Sequence, residues 1–372
     1  MAHPENFGYG VSRSRQEEHR RPKATSGVTK CALILLVSAV RVWSATDPRA
    51  ASEAEAALAL AHEGKYEQAI PHYRAALRLD ANLPGLHLNL GLAYFKLNRI
   101  ADAVPLFEQA VKKDPDSFQA HVLLGMSYYA IRRFDAAAAQ LKKAADQQPD
   151  NTELRFKLAQ SYLWSQQYEA AKREFQFLLT KDPDSAPVHM LLGEVLDAAG
   201  QEEQATAQFE AAVKSSTHEP EAHFGLGYLY WKQKRYEDAQ RELTAELADQ
   251  PEHTQALTYL ADAELQTGNE KPAEERLRRA LKLDPNLRLA HLDLGIILAS
   301  HHDSAQAQAH FREAIRIDPG NPDAHYRLAR LLLAMGREQE ANVEFAQVKQ
   351  LAQRPEPSPL IKVPRLDGDA PR

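Results

Sequence analysis

The feature that most constrains this chain is a repeat with a period of 34 residues. Between residues 50 and 353 an alanine recurs once per period without a miss, and a second small residue lies twelve positions before each one. Nine such units fill this segment, so the usual division of 372 residues into two or three compact domains does not apply. The recurring alanines are Ala69, Ala103, Ala137, Ala171, Ala205, Ala239, Ala273, Ala307 and Ala341.

Other positions repeat with the same period. A large apolar residue follows each of these alanines by four positions, and a proline closes six of the nine units. Apolar residues within a unit fall at helical spacing and not in alternation, which predicts two helices per unit. Small residues at two fixed positions let the paired helices approach closely, and the large residue fills the space between units. Gly64, Asn98, Gly200, Gly268 and Gly336 mark the turns, because these residue types tolerate the left-handed backbone that ends a helix.

These residues, for example Leu90-Gly91, Ala103, Phe107 and Pro115 in the second unit, resemble the tetratricopeptide repeat. The resemblance covers about four fifths of the chain. It implies an all-α fold, an α-solenoid in which stacked helix-turn-helix units form a right-handed superhelix with a concave groove. A single unit cannot bury its own apolar face, so neighbouring units complete the core and residues 50–353 are predicted to behave as one elongated body.

The amino-terminal residues 1–45 read as a leader that carries an export signal. Residues 31–40 form a short uncharged apolar core, preceded by a basic stretch and followed by the small residues Ser44 and Ala45. Arg41 interrupts the apolar run, which is too short to span a bilayer comfortably. We therefore expect export to the periplasm or the extracellular space. The alternatives are a membrane anchor formed by an uncleaved signal, and a cytoplasmic protein whose apolar segment is a buried helix.

The carboxy-terminal residues 354–372 have a different composition from the repeats. Five of these nineteen residues are proline, and such a composition cannot stay helical. This segment is predicted to be a flexible tail.

Charge and motifs exclude several functional classes. The net charge is -6 overall, but residues 50–353 hold 33 Lys/Arg against 44 Asp/Glu, which argues against binding to nucleic acid phosphates. A single cysteine, Cys31, cannot supply a disulfide or a thiolate cluster. No phosphate-binding glycine loop and no zinc-protease motif is present. We therefore predict no catalytic residues, no metal site and no cofactor.

Two groups of histidines are candidate metal ligands or pH sensors. His301-His302-Asp303 is the most metal-like run, but it falls at a tight turn where consecutive side chains diverge, so a solvated turn is favoured. Histidine also recurs at the fourth position of six units. Interhelical packing with a ring nitrogen bonded to backbone or water is favoured there, and a pH-responsive ladder is the alternative. These histidines are His87, His121, His189, His223, His291 and His325.

The family resemblance also implies which positions of each first helix meet a ligand in the groove. In this sequence these positions are mostly apolar and aromatic, and the Lys and Asn set that binds a terminal carboxylate in some family members is missing. A peptide with apolar anchors and basic flanks fits such a surface. For Phe156 and Phe224, partial packing in the core is the favoured interpretation. The residues predicted to form the partner-binding groove are Tyr129, Phe156, Gln160, Trp164, Phe224, Tyr228 and Trp231.

The sequence thus predicts a noncatalytic scaffold or adaptor that binds protein or peptide partners. The alternative is an accessory or regulatory subunit of an envelope enzyme complex, for instance in glycan modification or assembly. An enzyme with an unrecognised helical site is the third and least supported interpretation. The partner and the oligomeric state are left open.

Overall fold

The computed structural model describes residues 47–351 and 359–360, and over these residues it contains eighteen α-helices and no strand. The all-α solenoid prediction is confirmed: the helices form nine consecutive helix-turn-helix pairs. The pairs are α1 (Pro48–His62) and α2 (Tyr66–Leu79), α3 (Leu86–Lys96) and α4 (Ile100–Lys113), α5 (Phe118–Ala130) and α6 (Phe134–Gln147), α7 (Thr152–Trp164) and α8 (Tyr168–Lys181), α9 (Ala186–Ala198) and α10 (Glu202–Ser215), α11 (Ala222–Lys232) and α12 (Tyr236–Asp249), α13 (Thr254–Gln266) and α14 (Glu270–Leu283), α15 (Arg288–Ser300) and α16 (Ser304–Ile317), and α17 (Pro322–Ala334) and α18 (Glu338–Leu351).

The predicted leader and almost all of the predicted tail lie outside the described residues. Within the tail, Pro359 and Leu360 are described. No helix in the described part of the chain is long and apolar enough to cross a lipid bilayer.

Every turn inside a pair uses a left-handed residue at the same point of the period. The turn after α5 shows the geometry: Arg132 has φ 61°, and the next amide, of Arg133, donates to the Tyr128 carbonyl at 2.8 Å. This closing bond satisfies a carbonyl at the helix end. Glycine or asparagine occupies five of the nine turns, whereas the other four hold residues that rarely adopt this backbone. Those four are Arg132, Gln166, Lys234 and His302.

The strict spacing of small and large residues follows from how the helices touch. Phe209 of α10 is 1% exposed, and its ring lies between Gly193 of α9 and Gly225 of α11. A Cβ atom at Gly193 would come within 2.7 Å of this ring. The same contact recurs between Gly91 and Phe107 and between Gly295 and Phe311. A small residue is required because any larger side chain would displace the ring that joins the helices.

Four of the six recurring histidines bridge the two helices of their unit and the loop before it. The ring of His121 is buried, and its Nε2 donates to the Pro115 carbonyl at 2.7 Å, while Nδ1 lies 2.7 Å from Gln140 Oε1 on the second helix of the unit. His189, His223 and His291 bond the carbonyl six residues earlier in the same way. Each ring thus connects the loop before a unit to both helices, as the packing interpretation predicts.

Candidate functional site

The first helix of each pair lies on the inner side of the array. Successive first helices contact one another, for example α9 with α11 and α11 with α13, whereas successive second helices make no contact of comparable extent. Helices on the inside of a curve are closer together than those on the outside, so the odd-numbered helices line the concave surface. The predicted groove residues all belong to these helices, namely to α5, α7 and α11.

One aromatic cluster joins the third and fourth units. The ring centroids of Tyr129, Phe134 and Trp164 lie 5.2–5.8 Å apart in pairs. The Tyr129 hydroxyl donates to Gln160 Oε1 at 3.0 Å, and Lys157 Nζ donates to the same oxygen at 3.0 Å. Burial raises the pKa of Tyr129, so its phenol stays protonated. We call the set Tyr129, Phe134, Gln160 and Trp164 the first cluster.

Phe156 lies apart from the first cluster. Its ring packs edge-on against Phe175 of α8 at 6.2 Å, and the side chain is half-buried. Lys157 Nζ lies 6.0 Å from its centroid. This placement gives Phe156 a packing role along one edge, with the other edge accessible.

A second aromatic cluster joins the sixth and seventh units. Tyr228 stacks on Trp231 at 5.9 Å, and both rings contact Tyr259 of α13, at 5.2 and 4.8 Å. Phe224 contacts Tyr259 at 6.1 Å but is only 1% exposed, whereas Tyr228 is 7% exposed and Trp231 is half-buried. We call Phe224, Tyr228, Trp231 and Tyr259 the second cluster. Of these, Trp231 and Tyr259 offer the most surface, and Phe224 belongs to the core.

Buried acids surround the second cluster. Trp231 Nε1 donates to Asp262, whose pKa is raised by burial against the effect of that bond. Asp293 on α15 is 3% exposed, and its Oδ2 finds no hydrogen-bond donor among the described residues. Burial and the nearby Asp262 carboxyl raise the pKa of Asp293 well above its usual value, although Arg288 and Arg327 oppose the shift. This part of the groove combines apolar rings with desolvated carboxyl groups.

Three residues at the junction of the sixth and seventh units could hold a cation. One ligand atom each from Glu221, Glu246 and His253 lies within 4.8 Å of the others. His253 Nδ1 accepts a hydrogen bond from the Ala256 amide at 2.9 Å, so Nε2 carries the proton and donates to the Glu221 carboxylate at 3.0 Å. The Glu246 carboxylate accepts from the Phe224 amide at 3.0 Å. As hydrogen-bonded here, the three residues brace the starts of α11 and α13, and a cation would have to displace the His253 bond.

The His301-His302-Asp303 run lies at the turn between α15 and α16, as the sequence indicates. His301 Nε2 is 2.7 Å from Glu270 Oε1, His302 has φ 61°, and Asp303 caps α16 by accepting from the Gln306 amide at 3.1 Å. The three side chains therefore serve different contacts and do not converge.

The structure thus groups six of the seven predicted residues into two clusters, leaves Phe156 apart, and adds two residues that sequence reasoning missed. Phe134 begins a second helix, and Tyr259 sits one position after a groove position. The family pattern of groove positions includes neither of these two positions. Both residues are aromatic, and each lies beside a turn or a groove position of a neighbouring unit. This is the sequence signal that could have identified them.

The repeated helix pairs and the concave surface define the class of protein as a helical-repeat protein. Family models described as tetratricopeptide repeat match residues 57–98, 88–152, 128–195, 166–223, 198–246, 224–288 and 298–359. The chain belongs to the tetratricopeptide repeat family. Members of this family bind protein or peptide partners, and the fold is typically a noncatalytic scaffold.

Solved structures with similar folds include three repeat proteins. One is described as pilF of Pseudomonas aeruginosa, with 23% identity, 54% of this chain and 91% of that chain covered, and a TM-score of 0.48. A second is the carboxy-terminal part of a repeat protein from Cytophaga hutchinsonii, with 17% identity, coverage of 64% and 98%, and a TM-score of 0.49. A third is YrrB, described as having an unusual peptide-binding site, with 20% identity, coverage of 50% and 95%, and a TM-score of 0.41. No curated protein matches the sequence.

Proposed function

We propose that this chain is a noncatalytic scaffold or adaptor that binds an extended or helical peptide in its concave groove. The observation that carries the proposal is the placement of two aromatic clusters on the inner helices, with the half-buried indoles of Trp164 and Trp231 each contacting a ring of an adjacent helix. Large aromatic anchors in a groove are the side chains that most often dominate the affinity for a peptide.

Charge favours a partner with basic residues next to its apolar anchors. Asp262 lies on α13 beside the second cluster and Glu194 adds a further carboxyl on α9, whereas Asp197 on α9 already pairs with Lys232 Nζ at 3.0 Å. The repeats as a whole carry 11 more acidic than basic residues, which would attract such a peptide over longer distances.

Removing both indoles tests the groove. Trp164→Ala with Trp231→Ala is expected to weaken binding of a groove peptide on the order of thirtyfold or more, the usual effect of losing an interface anchor. The peptide would be selected from a displayed random library by its binding to the full chain. Its affinity would then be measured by isothermal titration calorimetry. Circular dichroism would verify that the variant keeps its helices.

The matched control removes two aromatics of similar burial from the second helices. Tyr168 begins α8 and Tyr236 begins α12, so both belong to second helices, and neither is a predicted groove residue. Tyr168→Ala with Tyr236→Ala is expected to leave the affinity within about twofold of the unmodified chain. Equal losses in both double variants, or no loss in either, would remove the groove as the binding surface.

We also propose that the protein is exported. The support for export is the predicted signal in residues 31–40. Mass spectrometry of the amino terminus of the protein isolated from its native cells tests it. We expect a mature chain that starts shortly after Ala45. A mature protein that retains residues 1–45 would contradict cleavable export and favour an anchored or cytoplasmic location.

A further inference from the structure

Two histidine rings meet inside the eighth unit. The Nδ1 atoms of His291 on α15 and His310 on α16 lie 2.9 Å apart. His291 Nε2 lies 3.1 Å from the Pro285 carbonyl oxygen, which can only accept a hydrogen bond, so this nitrogen carries a proton. In the neutral pair His291 Nδ1 is therefore the acceptor, and His310 Nδ1 donates the hydrogen bond that joins the two rings.

Other units hold an oxygen at the place of the second ring. The residue nineteen positions after the recurring histidine is glutamine in the third and fifth units and glutamate in the sixth and ninth. Its oxygen lies 2.5–2.8 Å from the histidine Nδ1 and can accept from the ring whether the ring is neutral or protonated. Of the five pairs of this kind in the described residues, only the pair of the eighth unit has a histidine as acceptor. The four other pairs are His121–Gln140, His189–Gln208, His223–Glu242 and His325–Glu344.

The hydrogen bond between the two rings limits how many protons the folded unit can take up. A first extra proton can enter at His310 Nε2, and the bond between the two Nδ1 atoms is kept. A second proton would have to enter at His291 Nδ1, where it faces the Nδ1 proton of a ring that is already positive. The bond is then lost and two like charges lie side by side. In the unfolded chain both rings take up a proton near pH 6.5.

The surroundings of His310 also disfavour its charged form. Burial lowers the pKa of His310, and His291 and Arg278 of α14 lower it further, whereas Glu313 on α16 opposes them. The helix α17 also packs against α16, but among the described residues it contributes no charged group to this shift. Because the folded-state pKa lies below the unfolded one, the stabilisation is complete above about pH 6.5 and is lost as pH falls below that value.

We propose that the His291–His310 pair is an acid-sensitive contact that loosens the eighth unit as pH falls from about 7 to about 5. In this range the unfolded pair binds more protons than the folded pair, so the equilibrium moves towards the opening of α15 and α16. Neighbouring units stabilise one another, so the ninth unit loses support on the same side and the carboxy-terminal end of the array opens with the eighth. The inference is independent of any partner in the groove.

Hydrogen exchange of the full chain, followed by mass spectrometry of peptides from α15 and α16, tests the proposal. The opening equilibrium is corrected for the intrinsic exchange rate at each pH. Between pH 7 and pH 5 we expect it to rise on the order of tenfold in the unmodified chain relative to His310→Gln, which restores the oxygen acceptor of the third and fifth units. Asp293, two positions after His291, titrates with the opposite sign, but it is present in both chains and cancels in the comparison.

The matched control transfers the pair to another unit. Gln140→His places a second ring opposite His121 in the third unit, so the protection of α5 and α6 should fall on acidification by a similar factor. In the unmodified chain these two helices should keep their protection. Circular dichroism checks the helices of each variant. If His310→Gln does not keep its helices, His310→Glu, which copies the sixth and ninth units, takes its place.

Two outcomes would overturn the proposal. An equal change of α15 and α16 in the unmodified chain and in His310→Gln would show that the pair is not the source of an acid response. The same protection of α5 and α6 at pH 7 and pH 5 in Gln140→His would show that two facing rings do not create one.

Discussion

Phe209→Ala is expected to lower the free energy of unfolding by about 3–5 kcal/mol, the usual cost of removing a fully buried phenylalanine ring. The ring is 1% exposed and fills the space between Gly193 of its own unit and Gly225 of the next. These glycines have no side chain that could move into the cavity, so little of the lost contact can be recovered. Urea unfolding followed by circular dichroism measures the change.

The position of Phe209 in the array also affects how the chain unfolds. In a repeat protein each unit is stabilised by its neighbours. Phe209→Ala weakens the interface between the fifth and sixth units, so the single unfolding transition should divide into two. Phe345, at the equivalent position of the last unit, is the matched control. It is half-buried, since among the described residues no further helix pair packs on it, and Phe345→Ala should cost clearly less. Equal costs at the two positions would mean that packing between units contributes nothing to stability.

Asp293→Asn is expected to stabilise the chain at neutral pH by about 1–3 kcal/mol, the cost of a buried polar atom without a partner. Asp293 Oδ2 has no donor among the described residues, and burial raises the pKa of this carboxyl well above its usual value. Below the unfolded-state pKa of about 4, both states are protonated and the residue has its full stabilising effect. As pH rises towards and through the folded-state pKa, that stability is lost, because only the unfolded state can ionise freely.

The measurement is the difference in thermal stability between the unmodified chain and Asp293→Asn from pH 4 to pH 8. The difference should favour the variant increasingly as pH rises. Asp238→Asn gives the opposite sign, since the hydrogen bond from the Arg235 guanidinium lowers the pKa of Asp238. There the unmodified chain should keep a small, constant advantage from pH 8 down to about pH 4 and lose it only at lower pH, so this pair is measured down to about pH 2. A flat difference for Asp293→Asn would show that this carboxyl is not desolvated.

The helices and their pairing could be predicted from sequence because the deciding interactions are local or recur in every unit. The alanines such as Ala205 and Ala239 are completely buried, as their strict period requires. The turns were predicted only in part. Arg132 and Gln166 adopt the left-handed backbone that glycine provides elsewhere, because packing of the two helices of the unit outweighs the local preference of these residues.

The candidate site could be predicted only as a set of positions. The family pattern places Tyr228 and Trp231 on the inner surface, and the structure brings Tyr259 from the next unit into contact with both. It also shows Phe224 to be core, 1% exposed. How much of each ring is accessible depends on neighbours in the next unit that are 28 or more residues away, and no local pattern carries that information.

The sequence by itself determined the helix-turn-helix unit and the number of units, since both follow from a period that places small and large residues opposite one another, while the inner face was implied by the family resemblance. Only the tertiary structure decided which groove rings remain accessible and which carboxyl groups lose their water. Accessibility and desolvation both depend on the curvature of the stacked units. That curvature is the sum of many small rotations between neighbours, and no single repeat specifies it.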